Sequence, residues 1–233
     1  MKLGIIGAME QEVQTLWTAM EQPAVTTVAG MTFYEGILRG TSAVVVQCGV
    51  GKVNAALCVQ CLCDRFGVTH LLNTGIAGAL NPQLHIGDIL VSADAVQHDV
   101  DVTVFGYAPG QVPGQAPSFR ADEALARLAL EASRTVDSSR QAILGRVVSG
   151  DQFICSREVK TRLVEQFHGD CAEMEGAAIA QGAVRNGLPF VILRAISDQA
   201  DGAAEVDYPT FEAAAAAHCA RVAEALAEAL ARG

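Results

Sequence analysis

Short apolar runs alternate along the chain with longer segments in which apolar residues recur every three or four positions. The short runs are typical of buried strands, and the periodic segments are typical of helices. The runs predict strands over Leu3–Ile6, Thr32–Leu38, Ala43–Cys48, Leu71–Thr74, Ile89–Val91, Ile143–Val148, Ala172–Met174 and Phe190–Ile196. The periodic segments predict helices over Glu10–Glu21, Gly51–Phe66, Ala121–Val136, Ser156–Phe167, Gly176–Asn186 and Thr210–Ala231.

This alternation predicts a single α/β domain over residues 1–233, with a central, twisted, mixed but mostly parallel sheet flanked by helices. The segment Gly106–Ser118 contains three Pro and three Gly, a composition typical of a linker. Because the same pattern continues on both sides of it, we predict a long loop within one domain, and such loops are often functional.

The composition limits the possible partners. Hydrophobic residues make up 51% of the 233 residues, which is enough for a substantial core. The formal net charge is −10, whereas nucleic acids and anionic membranes bind clustered Lys and Arg. We therefore expect a small neutral or zwitterionic ligand, and neither nucleic acid nor membrane as a partner.

Three of the seven cysteines, Cys58, Cys61 and Cys63, lie close together in an apolar, helix-like run. No second Cys or His pair stands at metal-ligand spacing, so we predict buried thiols, with no metal and no cofactor. The run Met1–Ala8 is too short for a signal peptide, and no run of eighteen apolar residues is present. These features predict a cytoplasmic protein.

The ends of two predicted strands carry candidate site residues. Glu12 lies in the first turn of the helix that follows the first strand, where open α/β sheets bind ligands. The helix dipole alone also explains an acidic residue there, so both explanations stay open. Gly75 and Gly78 follow the strand at Leu71–Thr74 and predict a Gly-rich turn, which lacks the pattern of a dinucleotide or phosphate loop.

Two further strand ends carry carboxylates. Glu173 and Glu175 point the same way if the chain is extended, and a ribose would offer them two hydroxyl donors. Hydration at a solvated strand end would also tolerate the pair. Asp198 follows the most apolar strand, with Arg194 and Ser197 as its predicted partners, and the alternative is a cap or turn residue.

These sites belong to longer motifs: GIIGAMEQEV (Gly4–Val13), GVGKVNAA (Gly49–Ala56), NTGIAGAL (Asn73–Leu80), HDVDVTVFGY (His98–Tyr107), SGDQFI (Ser149–Ile154), EMEGAAIA (Glu173–Ala180) and RAISDQAD (Arg194–Asp201). Together they resemble the 5'-methylthioadenosine/S-adenosylhomocysteine nucleosidases of the nucleoside phosphorylase superfamily, over essentially the whole chain. The resemblance implies hydrolysis of the N-glycosidic bond of those two nucleosides, and of 5'-deoxyadenosine, to adenine and the 5-substituted ribose. It also implies a place in methionine salvage.

The resemblance also implies a role for each matching residue. Asp198 is the acid that protonates ring nitrogen 7 of adenine, Ser197 orients it, and Glu12 positions and deprotonates the attacking water. Glu175, with Met174 and Glu173, holds the ribose hydroxyls. The other implied contacts are Phe153 stacked on the purine, the backbone of Ile154 on its Watson–Crick edge, the backbone of Ala77 and Gly78 along the base and sugar, and Met9, Val50 and Tyr208 around the ribose and 5' group.

The chemistry fits these residue types. Adenine leaves poorly until its imidazole ring is protonated, so an acid must face it, and burial is expected to keep Asp198 protonated. Its departure leaves an oxocarbenium-like ribose, which nearby Glu side chains stabilise. Water then attacks the opposite face, as in an inverting glycosidase that uses one carboxyl as acid and one as base.

Two positions depart from the family pattern. Val50 stands where relatives often carry Ile, and Ile76 where many carry Ser. Ile76 and the acidic Glu10 and Glu12 offer no phosphate subsite, which favours water as the nucleophile. The alternatives are a purine nucleoside phosphorylase, an aminofutalosine nucleosidase, and a non-catalytic nucleoside-binding protein.

The segment Asp99–Gly114 combines Val102, Phe105 and Pro113 with a path rich in Gly and Pro. By the resemblance, those three side chains reach the 5' pocket of a neighbouring subunit. On a monomer they would form an exposed apolar patch of the kind that marks an interface. We therefore predict a symmetric homodimer with shared active sites.

Overall fold

The structure is a computed structural model that describes residues 1–201 and 204–232, without the side chains of residues 205–207. The strands are β1 (Leu3–Gly7), β2 (Glu21–Val28), β3 (Met31–Leu38), β4 (Thr41–Gln47), β5 (His70–Ala79), β6 (Ile89–Gln97), β7 (Phe119–Arg120), β8 (Ala142–Ser149), β9 (Cys171–Glu173) and β10 (Phe190–Asp198). The helices are α1 (Glu10–Thr18), α2 (Lys52–Phe66), α3 (Glu123–Val136), α4 (Arg157–Phe167), α5 (Gly176–Arg185) and α6 (Ala204–Arg232).

One mixed sheet contains these strands. Parallel pairs form its centre: β1 lies between β4 and β5, β5 lies beside β10, and β8 lies between β6 and β9. Antiparallel contacts of β10 with β6 and of β9 with β5 close a ring of β5, β10, β6, β8 and β9. The other antiparallel pairs are in the β2–β3–β4 meander and between β6 and β7. The predicted fold, one α/β domain around a mixed sheet flanked by helices, is confirmed.

Helices bury apolar side chains on both faces of the sheet. α1, α3 and α6 contribute Leu16, Ala129 and Leu226 to one core cluster, and α2 and α5 contribute Leu62 and Ile179 to the other. Each of these side chains is at most 1% exposed. Burial of this kind supplies most of the stabilisation of an amphipathic helix, so the two layers hold the strand ends in fixed positions.

The first predicted helix is too long at its C-terminus. α1 ends at Thr18 rather than Glu21, because the chain from Glu21 enters β2, a strand that the apolar pattern did not predict. β2 lies at the edge of the sheet, six of its eight residues are exposed, and it contains Pro23. An exposed edge strand needs no apolar alternation, so β2 has no apolar pattern by which it could be predicted.

The predicted turn at Gly75 and Gly78 is wrong. β5 continues to Ala79, because β1 and β10 pair along it and β9 pairs with its end. β6 likewise continues past Val91 to Gln97. α6 begins at Ala204 rather than Thr210 and has Pro209 inside it, although proline usually marks a helix boundary.

The cysteine cluster lies on α2, where Cys58 is buried and Cys61 and Cys63 are partly buried, all as free thiols. Between β6 and β7 the chain forms one short 3-10 turn at Thr103–Phe105 and then the long loop predicted at Gly106–Ser118. In the ranges 1–201 and 204–232, no helix is both long and apolar enough to span a bilayer.

Candidate active site

A cavity of about 500 Å³ opens where β1, β5, β9 and β10 end. The sheet register explains this position, because Asp198 of β10 pairs with Gly78 of β5, and Gly78 also pairs with Ala172 of β9. Four segments that are distant in sequence therefore meet at one place. The residues that line the cavity are Ala8, Met9, Glu12, Val50, Ile76, Ala77, Gly78, Phe153, Ala172, Glu173, Met174, Glu175, Ser197, Asp198 and Tyr208.

Most of the predicted site residues are among them. Ile154 lies outside the lining, buried in a small core cluster with Leu80 and Val96. Val102, Phe105 and Pro113 also lie outside it, and Phe105 is 77% exposed. Within one subunit, these three side chains do not contribute to the cavity.

The Glu12 carboxylate is buried and bound by backbone N–H groups from the turn after β1 and from β5. Its Oε2 accepts from Ala8 at 2.7 Å and Met9 at 2.9 Å, and its Oε1 accepts from Ile76 at 3.1 Å. Met9 is the N-cap of α1 and Glu12 is its third residue, so the bond between them is one half of a capping box. Part of the position of the Glu12 carboxylate therefore follows from the geometry of the helix start. Burial raises the pKa of Glu12, and Arg194 and the three N–H groups partly offset that rise.

Glu173 forms a buried ion pair with Arg194. The carboxylate contacts the Arg194 guanidinium and the Ser149 hydroxyl, and Oε2 accepts the Gly176 N–H at 2.8 Å. Burial opposes the ionisation of Glu173, but Arg194 and these donors outweigh it and hold its pKa below the usual value. Glu173 is therefore the ionised member of the Glu173/Glu175 pair.

In the Glu173/Glu175 pair, the pKa of Glu175 shifts in the opposite direction. The Glu175 backbone has φ −131° and ψ −35° at the start of α5, so the chain is not extended there, and the condition under which Glu173 and Glu175 were expected to point the same way is not met. Glu175 Oε1 accepts the Gly51 N–H at 2.7 Å. Burial, followed by repulsion from Glu173, raises the pKa of Glu175 to about 8. At neutral pH the protonated form of Glu175 is therefore favoured.

Asp198 is only 2% exposed and accepts hydrogen bonds from its own segment. Ser197 Oγ donates to Oδ2 at 2.8 Å, as predicted, and the Ala200 N–H donates to Oδ1 at 2.7 Å. The prediction that Arg194 is also a partner is wrong. Four residues of strand separate the two Cα atoms by about 13 Å, and the register shifts between Ile196 and Asp198, so Arg194 contacts Glu173 and Asn73 instead.

Two glycines on β5 allow the carboxylates to approach the strand. A Cβ atom on Gly75 would lie 2.5 Å from Glu12 Oε1, and one on Gly78 would lie 2.7 Å from Asp198 Oδ1. The two positions are three residues apart, so the contact points are about 10 Å apart along β5. Both carboxyl groups line the cavity, so an acid and a base can face the same ligand.

An aromatic pair and a thioether form the apolar wall. Phe153 packs edge-on against Tyr208, with ring centroids 5.4 Å apart, and the Tyr208 hydroxyl lies 3.3 Å from Met9 Sδ. Phe153 is 47% exposed and Val50 is 50% exposed. A flat, partly apolar ligand would cover these surfaces on binding.

Several contributors to the site were not predicted from the sequence, among them Ser149, Asn73, and the backbone N–H groups of Gly51 and Gly176. Ser149 had a usable signal, because it ends a buried strand as Asp198 does. The Gly51 and Gly176 N–H groups are hydrogen-bond donors of the backbone, so no side chain in the sequence indicates their role.

Known proteins resemble this chain over most of its length. A family model of the phosphorylase superfamily matches residues 2–232. The 5'-methylthioadenosine/S-adenosylhomocysteine nucleosidase of Geobacillus thermodenitrificans is 46% identical over 223 residues, which cover 95% of this chain and 94% of that protein.

Solved structures agree as well. The nucleosidase of the same name from Neisseria meningitidis, in complex with methylthio-immucillin-A, superposes with a TM-score of 0.95 at 38% identity, over 98% of this chain and 99% of that one. The futalosine hydrolase of Helicobacter pylori superposes with a TM-score of 0.91 at 33% identity, over 97% and 96% of the two chains. This chain therefore belongs to the phosphorylase superfamily and, within it, to the 5'-methylthioadenosine/S-adenosylhomocysteine nucleosidases, which are N-glycosyl hydrolases.

Proposed function

We propose that this enzyme releases adenine from 5'-methylthioadenosine, S-adenosylhomocysteine and 5'-deoxyadenosine by acid-assisted departure of the base and attack of water, as a step of methionine salvage in the cytoplasm. The observation that carries the mechanism is the pair of buried carboxyl groups, Asp198 and Glu12, at separate contact points on β5 in one cavity. An acid on one side and a base on the other is the arrangement of an inverting glycosidase.

Asp198 is the general acid that protonates ring nitrogen 7 of adenine. Ser197 orients its carboxyl through the bond at 2.8 Å. Ala77 and Gly78 lie beside it and contribute backbone to the base and sugar pockets. Phe153 stacks on the purine, and the backbone of Ile154, the next residue, reads the Watson–Crick edge.

Glu12 positions the water and accepts its proton. Three backbone N–H groups fix its carboxylate before substrate binds, so little reorganisation is needed during the reaction. Glu175, with Met174 and the ionised Glu173, holds the ribose hydroxyls, and the negative charge stabilises the oxocarbenium-like ribose. Met9, Val50 and Tyr208 enclose the ribose and the 5' group.

Water is favoured over phosphate as the nucleophile by the charge of the cavity. Glu12, Glu173 and Glu175 line it, and none of the described lining residues is Lys or Arg. Arg194 lies behind them and is bound to Glu173 and Asn73. A phosphate dianion would therefore face carboxylates rather than a cationic subsite.

A second candidate substrate is aminofutalosine. The structural similarity to a futalosine hydrolase favours it, with a TM-score of 0.91 at 33% identity. The half-exposed Val50 at the cavity mouth leaves space for a larger 5' group. The two substrate classes differ at the 5' position, so parallel turnover assays separate them.

We also propose a symmetric homodimer in which Val102, Phe105 and Pro113 reach the partner's 5' pocket. Phe105 and Val104 are 77% and 84% exposed, and Val53 on α2, three residues after the cavity-lining Val50, is 72% exposed. Apolar groups exposed in this way typically mark an interface. A two-fold dimer would bury Val53 and the exposed residues of the segment Asp99–Gly114 at the same time.

The first prediction concerns the nucleophile. Purified enzyme should release adenine and free 5-methylthioribose from methylthioadenosine in phosphate-free buffer containing a metal chelator. Chromatography of both products, with and without added phosphate, makes the measurement. Formation of a ribose 1-phosphate, or a requirement for phosphate, would assign the enzyme to the phosphorylases instead.

The second prediction concerns the acid. Asp198→Asn should lower kcat by about 100- to 10,000-fold with little change in substrate affinity, because proton donation acts mainly in the transition state. Steady-state kinetics should be compared with those of Asp88→Asn, which alters a similarly buried carboxyl outside the cavity. Activity of Asp198→Asn close to that of the control would mean that another group protonates the base.

The third prediction concerns the shared site. Phe105→Ala should weaken binding of methylthioadenosine by about 1–3 kcal/mol, and weaken binding of adenosine less, because adenosine has no apolar 5' group to lose the contact. Val25→Ala, at an exposed position of β2, is the control. The shared-site model is contradicted if sedimentation at micromolar concentration shows a fully active monomer and if Phe105→Ala does not change the binding of methylthioadenosine.

A further inference from the structure

A polar cluster beside the cavity contains Lys52, Asp99 and Asp151. Lys52 Nζ lies 2.6 Å from Asp99 Oδ1 and donates to Gln97 Oε1 at 3.0 Å. The side chains of Lys52 and Asp99 are 18% and 19% exposed, so the ion pair is partly shielded from solvent. Asp99 is the first residue of the segment Asp99–Gly114, and Lys52 is the first residue of α2. Their ion pair therefore links that segment to the start of α2.

Asp151 connects the two halves of the cluster. Its N–H donates to Asp99 Oδ2 at 3.0 Å, and its Oδ1 accepts the Lys52 N–H at 2.8 Å. α2 has a glycine at its N-cap and no acidic residue in its first turn. The Asp151 carboxylate, which comes from another part of the chain, therefore accepts a backbone N–H at the start of α2. The helix dipole favours an anion at this position.

Gly51 lies between this cluster and the ribose end of the cavity. Its φ is +100°, and a Cβ atom there would lie 3.1 Å from Asp151 Oδ1. On its other side, its N–H donates to Glu175 Oε1 at 2.7 Å. The direction of that N–H therefore depends on how Asp151 and Lys52 hold the loop.

We propose that Lys52 and Asp99 are positioning residues that orient the Glu175 carboxylate through Asp151 and Gly51. The proposal rests on the role of Glu175 as a ribose ligand. Lys52 supplies the positive charge between Asp99 and the start of α2. Without it, Asp99 and Asp151 keep like charges close together, and their repulsion moves Asp151 away from Gly51. The Gly51 N–H then loses its alignment with Glu175.

The test combines Lys52→Met with Glu175→Gln. Lys52→Met should lower kcat/KM for methylthioadenosine about 10-fold or more, and Lys52→Arg should restore most of the loss. In the Glu175→Gln background, Lys52→Met should change kcat/KM by less than about 2-fold, because the two substitutions act on one contact. Lys2→Met is the matched control: it removes a partly buried ion pair with Glu35 far from the cavity and should leave kcat/KM unchanged.

A second measurement reports the geometry without turnover. Hydrogen exchange of the Gly51 amide, followed by NMR, should become faster in Lys52→Met and in the nearly isosteric Asp99→Asn, while Lys2→Met should not change it. Unchanged Gly51 exchange overturns the proposal whatever the substrate is. Equal losses of kcat/KM in the wild-type and Glu175→Gln backgrounds also overturn it. If the Gly51 amide responds but Glu175→Gln alone leaves turnover intact, the ribose-binding role of Glu175 fails instead.

Discussion

The buried ion pair between Arg194 and Glu173 is the interaction on which the site depends. Arg194 is 2% exposed and also lies within electrostatic reach of Glu12 and Glu175. A buried carboxylate is costly unless it is paired and hydrogen-bonded. One guanidinium cannot compensate three carboxylates, so Glu173 keeps the low pKa while burial raises the pKa of Glu12 and Glu175. The unequal environments shift the pKa values of similar side chains in opposite directions within one cavity.

Backbone groups do as much as side chains to fix this arrangement. The carboxylates of Glu12, Glu173 and Glu175 accept N–H groups from the turn after β1, from β5, from α5 and from the loop before α2. Gly75 and Gly78 provide the close approach that brings Glu12 and Asp198 against β5. Because two helical layers bury both faces of the sheet, these donors are held in place before any substrate arrives. Preorganised donors of this kind are what electrostatic catalysis requires.

Apolar periodicity predicted the fold class, and strand-end patterns singled out Glu12, Glu173, Glu175 and Asp198, because both are properties of single segments. The rest of the predicted cavity lining was implied by the resemblance to the nucleosidase family. Apolar periodicity did not predict β2, whose exposed edge position needs no apolar pattern. The predicted turn lies where β5 continues, because glycine is typical of turns and a single segment does not show which strands pair with it. Arg194 was predicted as a partner of Asp198, because a register shift in β10 has no sequence signal. The role of Gly51 depends on a backbone N–H and emerges only from the folded chain.

The most direct test of the unequal carboxylates is the pH dependence of stability. Glu175 has its pKa raised from 4.5 to about 8 in the folded protein, so the folded state holds a proton that the unfolded state releases between those values. The stabilisation is therefore complete below pH 4.5 and is lost as the pH rises towards 8. The free energy of unfolding of the wild type, minus that of Glu175→Gln, should fall by about 1.4 kcal/mol per pH unit between pH 5 and 8. A difference that does not change with pH would contradict the account.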